Sequence, residues 1–201
     1  MSSFQIPNQI TEKLDYFKYI GISTGYLFLK NRRYKTSILV ILLVYFSFLP
    51  NLYCQELIAK FHDWNLFRTQ KNNKTICYIA STPIKRDGNY LNRAEPYFLV
   101  VGINNDIDEV SVSSGFLYNQ SSNVELSFGA RKFYLFPYKT IAWSANKNDD
   151  IEILKEMQKN ADMILTAIAS DNKIAIDTYS LIGFNEGYKK LKEICEISNY
   201  D

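Results

Sequence analysis

The sequence predicts a mainly β protein: an antiparallel β-sandwich with two short helices, preceded by an N-terminal apolar segment. Three observations carry this reading. The chain has 201 residues, 47% of them hydrophobic and 15% aromatic, which suits one packed domain behind a leader. From Trp64 onward, short apolar or alternating runs recur between turn residues, the pattern of strands. Helical spacing is confined to two later stretches, so the strands have no crossover helices and pair antiparallel.

The leader comes first. Ile38–Leu49 (ILVILLVYFSFL) is a run of 12 residues. A spanning helix needs about 20 apolar residues and a signal-peptide core about 7–15. Lys30, Arg32, Arg33 and Lys35 stand just before it, as the positive flank of a leader does, and Pro50 ends it. Residues 1–54 are therefore read as a leader with a long n-region, and 55–201 as a single sandwich domain. Cleavage after Cys54 is one outcome. An uncleaved anchor and lipidation of Cys54 are the others, the latter opposed by the bulky Tyr53 before it. Met1–Leu29 is long for an n-region and no Met lies between Met1 and Met157, so one reading starts translation near Leu29.

In the mature part, Trp64–Arg68 alternates and Thr75–Ala80 is apolar on both faces. Thr82–Glu95, with Pro83, Asp87-Gly88 and Asn92, reads as a polar loop. Tyr97–Ile103 is a continuous apolar run, as in a central strand, and Glu109–Ser113 alternates cleanly. Val124–Phe128 and Lys132–Phe136 flank Gly129 as a hairpin, and Ile141–Ser144 is a short strand. Asn148, Asp149 and Asp150 are suited to a helix start, followed by Ile151, Leu154 and Met157 at helical spacing. Met163–Ala169 and Lys173–Tyr179 pair across a turn at Asp171-Asn172. Phe184, Tyr188, Leu191 and Cys195 mark one face of a closing helix. The expectation is eight or nine strands and two helices.

Charge and motif content exclude several functions. Residues 1–54 hold six Lys+Arg and two Asp+Glu; 55–201 hold the other 17 and 19. The basic excess thus belongs to the leader. Nucleic acid is not expected as a partner, and membrane contact is expected only through 38–49 if the leader is retained. One histidine and three cysteines are too few for a zinc finger. No GxGxxG, P-loop or HExxH appears, so no cofactor or metal is assigned. Asp149-Asp150-x-Glu152 reads as first-turn capping, and Asp106, Asp108 and Glu109 as a solvated turn without the spacing of an EF-hand. The aromatic residues, among them Phe98, Phe116, Phe128, Phe133, Tyr134 and Phe136, are read mostly as core, with some left for an exposed partner-binding patch. The loop holding Asn119 and Asn123 is a second contact candidate.

If the leader is removed, Cys77 and Cys195 remain. In an oxidising compartment they are expected to form a disulfide, closing about 119 residues for roughly 4–5 kcal/mol in the chain-entropy view. Two separate buried thiols are the alternative. A catalytic Cys77–His62 pair is a third reading and requires an exposed thiolate.

Taken together, the residues resemble a known family. The likeness runs from about Phe61 to Cys195. It is carried by Asp63-Trp64, Cys77-Tyr78 with Pro83, and Arg93-x-x-Pro96-Tyr97-Phe98. It continues through Glu109–Val112 with Gly115-Phe116, then Phe133, Ala142-Trp143, Met157, Asp177–Leu181 and Gly183. In this order and spacing the chain resembles the invasion-associated locus B family of exported alphaproteobacterial proteins. The resemblance implies an immunoglobulin-like sandwich. It implies a periplasmic, surface or secreted location, inner-membrane anchoring by 38–49 being the alternative. It also implies a virulence role in host-cell invasion. Some relatives carry a further cysteine shortly after the tryptophan; here Phe67 occupies that region. The family brings no catalytic motif. The expected function is non-enzymatic contact with a protein partner at the envelope or at a host-cell surface; a structural envelope role and an enzyme of unfamiliar type are the alternatives.

Overall fold

A computed structural model describes residues 55–71, 74–102 and 108–197, without the side chains of 71, 74 and 195–197. The leader, its apolar run and Cys54 lie outside the described residues.

Eleven strands and two helices follow in order: β1 (Glu56–Phe61), β2 (Trp64–Lys71), β3 (Lys74–Ser81), β4 (Lys85–Gly88), β5 (Tyr97–Gly102), β6 (Glu109–Ser113), β7 (Val124–Phe128), β8 (Arg131–Tyr138), β9 (Ile141–Trp143), α1 (Lys147–Met157), β10 (Asp162–Ile168), β11 (Ile174–Ser180) and α2 (Phe184–Ile197). Neighbouring strands run β1-β2-β3-β5-β6-β9-β8-β7-β10-β11-β4, every pair antiparallel. The mainly antiparallel sandwich with two helices stands as expected.

The two layers join through β8. Its residues Arg131–Leu135 pair with β7, and Phe136–Tyr138 pair with β9. Pro137 lies in the second part, opposite Ala142. A proline donates no ladder hydrogen bond, so it suits a strand leaving one sheet for another.

The core lies between the layers. Trp64, Leu66, Ile79, Phe98, Val100, Val110 and Val112 of one sheet face Val124, Leu126, Phe128, Met163, Leu165, Ala167 and Tyr179 of the other. Helix α2 lies on β3, β2 and β1, adding Phe184 and Leu191 to this core. Helix α1 sits beside β6 and contributes Ile153, Leu154 and Met157. Phe67, Tyr78, Ala80, Tyr97 and Leu99 are also buried, and by register Tyr78, Ala80, Tyr97 and Leu99 lie on the other face of β3 and β5. That is why Tyr97–Ile103 shows no alternation: β5 is covered on both sides.

Three sequence expectations need correction. The segment 82–95, read as loop, contains β4; its KRDG sequence has no apolar alternation because it is a short edge strand on β11. Strand β1 was not expected, since its register shifts between Leu57 and Ala59 and breaks the period of two. The cap of α1 is Asn146, whose side chain accepts from the N–H groups of Asn148 and Asp149 at 3.0 and 3.1 Å.

Candidate functional site

Three of the motif residues, Arg93, Gly115 and Asp177, meet at one buried polar node. Residues 89–96 lead from β4 into β5 as an irregular segment of largely polar residues, with the Pro96 ring buried before β5 begins. This segment carries Arg93 to Asp177 in the middle of β11. Both side chains are sealed, at 0% and 1% exposure. Arg93 Nη1 donates to Asp177 Oδ2 at 2.9 Å, and Nη2 donates to Oδ1. Arg93 also donates through Nε to the Tyr90 carbonyl at 2.9 Å and through Nη1 to the Ser114 carbonyl at 2.6 Å. Its guanidinium lies 5.8 Å from the Phe116 ring centroid. Burial pushes the Asp177 carboxyl above its ordinary value, against the pull of Arg93.

Around this pair the polar groups are consumed locally. The Ser114 N–H donates to the Tyr118 hydroxyl at 2.7 Å, and that hydroxyl donates to Ser114 Oγ at 2.9 Å. Burial raises the phenols of Tyr118 and Tyr179, and the Tyr179 hydroxyl is enclosed with no hydrogen-bond partner among the described residues. Gly115 closes the node. It sits at φ +79°, and a Cβ there would lie 2.0 Å from the Ala94 carbonyl oxygen. Only glycine allows this approach, which the Ala94 N–H to Gly115 carbonyl bond of 3.1 Å then uses. Chemically the node is a clasp: four of the five N–H groups of the guanidinium are held by acceptors of its own chain, and the side chain is sealed from solvent.

The remaining motif residues serve the same framework. Trp64 Nε1 donates to the Ser180 carbonyl at 3.0 Å, and its ring packs edge-on against Phe184 and Phe98. Tyr97 is buried and its hydroxyl is engaged with Ser113. Gly183, at φ +87°, leaves room for the Phe61 carbonyl, which would stand 2.1 Å from a Cβ. Trp143 differs: it is half-buried on β9, directly opposite Phe136.

That pairing opens onto the surface. Tyr134, Phe136 and Tyr138, alternate residues of β8, are 52%, 50% and 58% exposed. Phe133 is half-buried, while Phe98, Phe116 and Phe128 are core. The division between core and exposed aromatics, left open by the sequence, is therefore drawn along β8.

A second buried polar group corrects the sequence reading. Asp108, expected in a solvated turn, is 1% exposed. Lys192 of α2 brings its Nζ to 3.2 Å from Oδ2, in ion-pair range but off-angle for a hydrogen bond, and to 3.4 Å from Oδ1. Burial, with Asp108 beside it, raises the Tyr188 phenol. Asp150 is more than a first-turn carboxylate: its Oδ1 accepts from the Val110 N–H at 3.0 Å and the Ser144 hydroxyl at 2.6 Å, and burial raises its carboxyl. Nothing in the local pattern signalled these pairings, whose partners are 84 and 40 positions apart. Asp106 lies outside the described residues.

Cys77 is fully buried in β3, which removes the exposed thiolate that pairing with His62 would need. Cys195 falls in α2, with its side chain outside the described residues. Asn119 organises its own loop: its Oδ1 accepts from the Ser121 N–H at 2.9 Å and its Nδ2 donates to Asn172 at 3.1 Å. Asn123 is exposed. Among the described residues no group of three or more His, Cys, Asp or Glu stands close enough to hold a metal, and no helix is long and apolar enough to cross a membrane.

The sequence model described as Invasion associated locus B (IalB) protein matches residues 64–192. Among solved structures, the crystal structure of invasion associated protein b from Bartonella henselae is similar, at 15% identity and a TM-score of 0.49, over 70% of this chain and 96% of that chain. No curated protein matches the chain.

Proposed function

Because the chain belongs to the invasion-associated locus B family, whose model spans residues 64–192, we propose that it is an exported, non-enzymatic sandwich that acts by protein–protein contact at the cell envelope or host interface. The observation that supports this is the division of labour just described. The polar groups of Arg93, Asp177, Ser114 and Tyr118 bond one another, whereas large aromatic side chains on β8 face solvent. Deleting the gene is expected to lower host-cell invasion, and complementation to restore it. Unchanged invasion together with a new sensitivity to envelope stress would replace this reading with a structural role in the periplasm.

Export and the disulfide are proposed together. Cys77 is buried in β3, and α2, which carries Cys195, lies on that strand. The intact mass of protein from the native envelope fraction is expected to match residues 55–201, with two thiols becoming alkylatable only after reduction. A mass retaining 38–49 would make the protein anchored. Two thiols reactive without reduction would remove the bond.

A further inference from the structure

We propose that the outward face of β7, β10, β11 and β4 seats a second copy of this chain, in a two-fold dimer with the strands of the two copies aligned. The contact is separate from the aromatic band of β8 and β9 (Tyr134, Phe136 and Tyr138 with Trp143) and independent of the partner-protein reading above. The face follows from pleat and register. On β10 and β11 the core takes Met163, Leu165 and Tyr179, so the alternate residues point outward. Those are Ile164, Thr166 and Ile168 on β10, opposite Thr178, Ile176 and Ile174 on β11. Ile164 and Ile174 are 39% and 41% exposed, and the helices lie elsewhere, α1 beside β6 and α2 on β3, β2 and β1. The outward face of an antiparallel sheet in water normally carries polar residues. Here four isoleucines and two threonines adjoin with no charge among them.

The charges stand at the two borders, and their order selects the occupant. In the row of Ile164, Ser127 and then Lys132 lie on one side, Thr178 and then Lys85 on the other. In the row of Thr166, Glu125 lies on the first side and Ile176 and then Asp87 on the second. One row is thus bordered by cations and the next by anions. Within a copy each cation holds the acid beside it, Lys85 to Asp87 at 2.6 Å and Lys132 to Glu125 at 2.8 Å. A half-turn about an axis across the strands, set between these two rows, exchanges them and keeps β4 over β4. Lys85 of each copy then meets Asp87 of the other, and Lys132 meets Glu125 one strand over. In the middle Ile164 and Ile176 lie over Thr166 and Thr178, while the row of Ile168 and Ile174 overlies the Asp162 end of the strands. A half-turn along the strands would instead stack lysine on lysine, which is costly. The pattern is its own complement, so the partner it specifies is the same face rotated. Five strands about 4.8 Å apart and three rows about 7 Å apart give a footprint of about 500 Å². Specific complexes bury about 600–1,000 Å² of accessible surface per partner, so this contact stands at the small end and suits a micromolar dimer.

Sedimentation velocity of the full chain, over about 1–100 μM, tests this. A monomer–dimer equilibrium is expected. I164E should weaken it about tenfold or more, and K85E and D87K should each do the same, because all charges at the β4 border then share one sign. Mixing K85E with D87K should restore the dimer as a heterodimer, since the two β4 borders then carry opposite signs. Thermal midpoints near that of the parent show that each variant is folded. A full chain that stays monomeric throughout overturns the proposal. Association unchanged in I164E, K85E and D87K assigns self-contact to 38–49 or to the aromatic band and overturns it too. Loss in I164E with no rescue in the K85E and D87K mixture would show an adhesive face without this two-fold seat, and overturns it as well. The partner-protein reading stands or falls separately, on the invasion assay.

Discussion

The Arg93–Asp177 node and the β8–β9 band lie in one sandwich and treat their side chains in opposite ways. In the node, charged groups are taken out of water and spent on each other. In the band, aromatic groups that could enrich a core are left in water. Each arrangement is costly by itself. A buried ion pair carries a desolvation cost, and exposed aromatic surface forgoes burial. The node's cost is repaid inside the chain, because four acceptors on three segments hold one guanidinium. Nothing on the described chain repays the band, which is why it is the place to look for a partner. Of the motif residues, Trp64, Arg93, Tyr97, Gly115, Asp177 and Gly183 belong to the framework, whereas Trp143 is half-buried beside the band.

The strongest way to break this contrast is to remove one member of the node. Asp177→Ala leaves a buried guanidinium unpaired and is expected to cost about 3–5 kcal/mol, measured by denaturant unfolding. Replacing Arg93 and Asp177 together with apolar residues should recover part of that loss. If Asp177→Ala instead cost less than about 1 kcal/mol, the scale of ordinary point changes, the node would not be the clasp described.

Gly115→Ala should follow, at about 1–3 kcal/mol, because the new Cβ meets the Ala94 carbonyl in a left-handed backbone. Gly129→Ala is the control. Its φ is also positive, +58°, but nothing lies within 4 Å of its Cβ position, so it should cost less. Equal losses at the two glycines would show that backbone strain, not the close approach of two loops, sets the effect.

A pH series sharpens the contrast at α1. Burial raises the Asp150 carboxyl in the folded state, with the nearby Asp149 and Asp108 acting in the same direction. The folded protein therefore holds that proton to higher pH than the unfolded chain. Stability from this group is full below the unfolded value and falls as pH rises toward the folded one. Asp150→Asn keeps an acceptor for Val110 and Ser144 and does not titrate. Its urea midpoint relative to the parent should rise between about pH 3 and pH 7. A relative midpoint that fell over that range would contradict the burial argument.

The smallest effects belong to the band. Tyr134→Ser and Phe136→Ser should change stability by no more than about 0.5 kcal/mol each, as exposed positions do. A loss approaching that of Asp177→Ala would mean the aromatics are structural, and the contrast would collapse.

Local pattern carried much of the fold. The hairpin turn at Gly129-Ala130, the alternation of β6, the doubly covered β5 and the apolar face of α2 at Phe184 and Leu191 all follow from spacing. Strand β4 escaped because a polar edge strand has no apolar period, and β1 because a bulge interrupts its period. The motif pieces around Arg93, Gly115 and Asp177 were visible separately, but no local rule joins residues 84 positions apart. Asp108 looked solvated for the same reason: its environment is made by Lys192 and Tyr188, on a helix distant in sequence.

By itself, then, the sequence determined the β-rich class, the two helices, most strand boundaries and the family, because these depend on neighbours a few positions away and on the order of motifs along the chain. Only the tertiary structure decided which polar residues are enclosed and which aromatics are left outside. Burial is a property of the surfaces that meet, and the meeting of β11 with residues 89–96, or the turning of β8 from one sheet to the other, is fixed by long-range pairing that no local period encodes.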